Sequence, residues 1–63
     1  MANTYVIQAC EFKDCSIKEH PEFTSDIKGL FNLFLNEIED GASPSNEYAL
    51  FKDSCEELWN DIQ

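Results

Sequence analysis

Residues 4–12 read TYVIQACEF. Tyr5, Val6, Ile7 and Phe12 are β-forming residue types, so this segment is expected to extend as a strand. Extension puts Tyr5, Ile7 and Ala9 on one face and Val6, Gln8, Cys10 and Phe12 on the other. Neither face is cleanly polar, which predicts a strand covered on one side and partly covered on the other. Lys13-Asp14 then sits in a turn, and Cys15-Ser16-Ile17 returns as a short second strand, although the strongest two-residue turn signals are absent. Without that hairpin, residues 13–20 are an irregular connection. The lone strand then needs a strand from another molecule, which would make a homodimer.

Outward from this segment, His20-Pro21 marks a boundary, because proline restrains the residue before it and suits the first turn of a helix. Phe23, Ile27, Leu30, Phe31, Phe34, Leu35 and Ile38 follow at spacings that define one broad apolar helix face. That helix is expected to begin near Pro21 or to restart near Thr24-Ser25, which can cap it. Gly29 weakens its interior by about 1 kcal/mol relative to Ala but can permit close packing. Gly41 is the expected terminator. Ser43-Pro44 supplies an N-cap and a first-turn proline for a second helix, and Glu47 lies near its positive end. Tyr48, Phe51, Cys55, Leu58 and Ile62 recur at helical spacing, with Trp59 widening the same face. The link between the two helices is short, so they are expected to pair antiparallel. The predicted class is α+β: a single small domain over residues 1–63, with an N-terminal β-hairpin followed by an antiparallel pair of amphipathic helices.

Composition narrows the function. The 63 residues include 13 Asp and Glu against 4 Lys, for a formal net charge of −9. Phosphate binding needs cationic groups, so direct nucleic-acid binding is not expected. An anionic membrane surface is disfavoured for the same reason, and no run of apolar residues is long enough to cross a bilayer. Hydrophobic residues make up 43 % of the chain, which argues for a folded domain rather than an acidic tail. Self-repulsion among the carboxylates works against compaction, so added salt is expected to stabilise the fold. The three cysteines leave at least one thiol outside any intrachain disulfide. With no secretory signal visible, a reduced, cytoplasmic location is the expectation.

The acidic residues form the candidate site. On the second helix, Asp53, Glu57 and Asp61 fall at i, i+4 and i+8, opposite much of the apolar face, with Glu56 and Asn60 beside them. On the first, Glu37, Glu39 and Asp40 crowd the C-terminal turn, where they oppose the helix dipole. Like charges four residues apart also repel by a few tenths of a kcal/mol. Carboxylates one turn apart are separated by about 6 Å along the axis, comparable to successive phosphates on one nucleic-acid strand. A fixed row of them can imitate a short phosphate run and occupy the Lys- and Arg-rich groove of a nucleic-acid-binding protein. Equally, such a row can be a solvated face that only keeps the chain soluble. Leu33 and Leu50 fall away from the central apolar stripes. They either pack against the hairpin or a loop, or extend an apolar seam to the surface.

Other chemistry finds less support. Cys10, Cys15, His20 and Cys55 are four zinc-ligand types, but compact C-x2-C knuckles are missing and Cys55 fits the core stripe. A Cys10–Cys15 disulfide across the hairpin is disfavoured in a reducing compartment. Cysteine catalysis with His20 lacks an electropositive setting. Residues 40–44, DGASP, do not match an EF-hand loop. No phosphate-cradling, dinucleotide or metalloprotease motif occurs. Trp59 and the phenylalanines follow core periodicity rather than a basic stacking groove. The expectation is therefore a non-enzymatic inhibitor or modulator without metal or cofactor. It would occlude a cationic, nucleic-acid-binding protein surface, by DNA mimicry of the kind that suits phage counter-defence. The competing expectation is a small structural or assembly subunit that homodimerises, its acids serving only solubility.

Overall fold

A computed structural model describes residues 4–60 of the chain. Helix α1 spans Thr4–Glu19, α2 Thr24–Glu39 and α3 Pro44–Asn60, with a 3-10 turn at Pro21–Phe23. There is no strand among the described residues. The domain is all-helical, and the predicted α+β class with its β-hairpin is wrong.

The first segment coils because of which residues it buries. Ala9 is fully buried and Ser16 is 6 % exposed. Seven residues are two helical turns, so both lie on one helix face, whereas in a strand they would point to opposite faces. Tyr5 and Ile7, which extension would bury with Ala9, are exposed at 39 % and 49 %. Small residues at the buried positions let α1 approach its two neighbours closely. Tertiary packing overrides a β preference that spans only about 1 kcal/mol per residue. No free strand edge remains here to pair with a second molecule.

The other elements follow local chemistry. His20 leaves helical geometry at φ −131°, ψ 67°, outside the α region that a following proline disfavours. Its N–H still donates to the Ser16 carbonyl at 2.8 Å. The Thr24 hydroxyl donates to the Pro21 carbonyl at 2.6 Å; it ties the 3-10 turn to α2 rather than accepting a helix N–H as a cap. At the far end of α2, Ala42 N–H donates to Glu37 O at 2.9 Å and Gly41 N–H to Ile38 O at 3.0 Å. With Gly41 at φ +102°, this is a Schellman stop. Pro44 then opens α3, and the Ser43 carbonyl accepts the Glu47 N–H at 2.9 Å.

Ring pairs fix the arrangement. Tyr5 meets Tyr48 at 5.9 Å between centroids, Phe12 meets Phe51 at 5.7 Å, and His20 meets Trp59 at 4.3 Å. Helices α1 and α3 therefore run parallel. The beginning of α2 lies beside the end of α3, and its end beside the start of α3, so α2 is antiparallel to both. Phe51 is the hub of the core, with Phe12, Phe31 and Phe34 at 5.7–5.9 Å around it. Ala9, Ile27, Phe34, Phe51 and Cys55 form the buried centre.

Candidate functional site

On the side away from α1, helices α2 and α3 do not close over one another. A furrow of about 530 Å³ lies between Ser25, Asp26, Gly29, Leu30 and Leu33 on α2 and Ser54, Glu57 and Leu58 on α3. A smaller hollow of about 110 Å³ continues it towards the helix link, reaching Glu37 on α2 and Glu47, Leu50 and Phe51 on α3. Leu30, Leu33 and Ser54 line both. Leu33 and Leu50 are 58 % and 51 % exposed, so these two leucines belong to one open apolar strip. No hairpin or loop among the described residues packs over them.

The acidic residues of the furrow are paired by the antiparallel geometry. Asp26 and Glu57 line one end, and Glu37 and Glu47 line the other. None of the four lysines is on its wall. Lys13 lies 4.6 Å from the Phe31 ring centre and 3.6 Å from Asp14, and Lys52 lies 4.4 Å from the Tyr48 ring centre. Those cations are held on faces of the bundle other than the furrow. The ion pairs among the described residues are Lys13–Asp14 and His20–Glu22, and neither touches a furrow carboxylate.

Asp53, Glu56, Glu57, Glu37, Glu39 and Asp40 are all exposed. Only Glu57 and Glu37 reach the furrow. Asp53 and Glu56 share the outward surface of α3, while Glu39 and Asp40 sit at the opposite end of the bundle, by the helix link. The acidic set is therefore spread over the furrow, one helix back and one end of the molecule. Asp61 and Ile62 lie outside the described residues, so the row on α3 is described for Asp53 and Glu57.

Sequence reasoning missed Asp26 and Glu47 as partners of Glu57 and Glu37. The signal was present: Asp26, Leu30, Leu33 and Glu37 on α2, and Glu47, Leu50, Ser54 and Glu57 on α3, recur at helical spacing beside the core stripes. Each reads acid, apolar or small, acid. Gly29 does not serve close packing, because a Cβ added there meets nothing within 4 Å.

The cysteines and His20 do not converge. No group of three or more His, Cys, Asp or Glu among the described residues is placed to hold a metal ion. Cys10 and Cys15 lie on one helix, where the rise over five residues is about 7.5 Å, beyond disulfide reach; the hairpin that would have joined them is absent. Cys55 is buried, and burial, with a smaller contribution from Glu56, pushes its thiol up to about 11. It is a core residue rather than a nucleophile. His20 stacks on Trp59 with 5° between the rings, closing the α1 end of the bundle. No helix among the described residues is long and apolar enough to cross a membrane. No family model, curated protein or solved structure matches the chain.

Proposed function

We propose that the chain is a non-enzymatic protein-binding inhibitor or modulator that covers a cationic, nucleic-acid-binding surface of its target. The observation that carries this reading is the acidic surface of α2 and α3: among the described residues its carboxylates take part in neither ion pair, and no lysine lines the furrow between the two helices. Such a surface steers towards basic partners and repels nucleic acid and anionic membranes. Asp53 and Glu57, about 6 Å apart along α3, have the spacing for phosphate mimicry of the counter-defence kind.

The test is capture by the immobilised chain from nuclease-treated extract, compared with the triple variant Asp53→Asn, Glu56→Gln, Glu57→Gln. The reading expects basic nucleic-acid-binding proteins to be retained by the native chain and lost by a variant that melts at the same temperature or higher. Retention of the same proteins by both would end it. A second reading, a homodimeric assembly subunit, draws on the exposure of Leu33 and Leu50. It predicts a dimer in sedimentation that survives neutralising the acids.

A further inference from the structure

The geometry points to a specific occupant for the α2–α3 furrow: an amphipathic helix of the target, about three turns long, with an apolar middle and Lys or Arg at both ends. This deepens the reading above and rests on it. The furrow has carboxylates at its two ends and leucines between them. Asp26 with Glu57 and Glu37 with Glu47 mark the ends. The distance from Asp26 to Glu37 along α2 is eleven residue steps, or roughly 16 Å, which matches three turns of a docked helix. Leu33 and Leu50, each more than half exposed, offer the apolar contacts that helix-in-groove docking uses. The charge is complementary only to a cationic ligand. A second copy would bring its own Asp26, Glu37, Glu47 and Glu57 against these four, on a chain already at −9. Gly29 adds an independent indication: it costs about 1 kcal/mol of helix propensity, and among the described residues nothing lies within 4 Å of the place a Cβ would take. The furrow wall stays low where a ligand would enter.

The probe is a synthetic amidated peptide of about 15 residues, built from Leu and Lys with a leucine face and lysines at each end. A scrambled peptide of the same composition is the control. At about 0.15 M salt the facial peptide should bind at least roughly tenfold tighter than the scramble. Amide signals should shift along residues 25–37 and 47–58. Gly29→Trp, which fills the furrow from its open wall, should weaken binding at least roughly tenfold with the melting temperature retained. The double variant Glu37→Lys, Glu57→Lys, which alters exposed positions only, should do the same without a plug in the furrow. Equal affinity for both peptides, or shifts confined to Asp53, Glu56 and Glu39, would overturn the proposal. So would a dimer that Gly29→Trp converts to monomer, because a second copy would then be the occupant. If Asp53→Asn with Glu56→Gln abolishes capture of basic proteins while Gly29→Trp does not, the broader reading stands and the furrow assignment falls. If neither extract proteins nor the peptide bind, both fall.

Discussion

Cys55 shows how little room a domain of this size leaves for reactive groups. Its thiol is fully buried beside Ala9, Ile27, Phe34 and Phe51, and desolvation favours the neutral form. The folded protein therefore holds this proton up to about pH 11, against 9.0 for an unperturbed thiol. Between those values the unfolded chain has released the proton and the folded one has not, so stability falls as pH rises. Melting temperature should drop across this window more steeply for the native chain than for Cys55→Ala, which is less stable at neutral pH but lacks the ionisation. Thiol labelling at pH 8 should reach exposed Cys15 first and Cys55 only on unfolding. Equal slopes for the two proteins above pH 9 would contradict this placement of the thiol.

At the scale of the helix, the two glycines have opposite roles and opposite expected substitutions. Gly41 at φ +102° ends α2, so Gly41→Ala should destabilise by about 1–2 kcal/mol. Gly29 is helical and unobstructed, so Gly29→Ala should stabilise by up to about 1 kcal/mol; urea denaturation of the two variants measures both. Helix α1 has a sharper test. Gln8 is exposed in its interior, and Gln8→Pro should cost about 3 kcal/mol by removing a helix hydrogen bond. An edge strand with that N–H facing solvent would tolerate the same change far better. These elements also show what the sequence made legible. Helices α2 and α3 announce themselves, because large residues such as Phe34 and Phe51 mark the buried face and Pro21, Gly41 and Pro44 mark the ends. Helix α1 does not, because its two most buried positions carry Ala9 and Ser16, which give no hydrophobic period, while its exposed Tyr5 and Ile7 carry the β signal. The furrow was half legible. Leu33 and Leu50 stood out as displaced from the core stripe, but pairing Asp26 with Glu57 and Glu37 with Glu47 required knowing how α2 and α3 sit side by side.

Across the whole molecule, charge sets both stability and association. A net −9 on 63 residues is self-repelling, so the melting temperature should rise from low salt to about 0.5 M as those repulsions are screened. Binding to a cationic target should weaken over the same range, because the attraction between the partners is screened as well. That opposition separates an acidic binding surface from an acidic coat: both predict a more stable fold in salt, but only the first has a complex to lose. The bundle supports such a role by placing its aromatic core towards α1 and leaving the acid-ended furrow and the back of α3 open. The most direct measurement is competition for a captured basic protein between this chain and duplex DNA. Mutual displacement is expected: DNA releases the chain, the chain releases DNA, and the triple variant at Asp53, Glu56 and Glu57 does neither. A ternary complex in which chain and DNA bind the same protein together, unaffected by that variant, would contradict it.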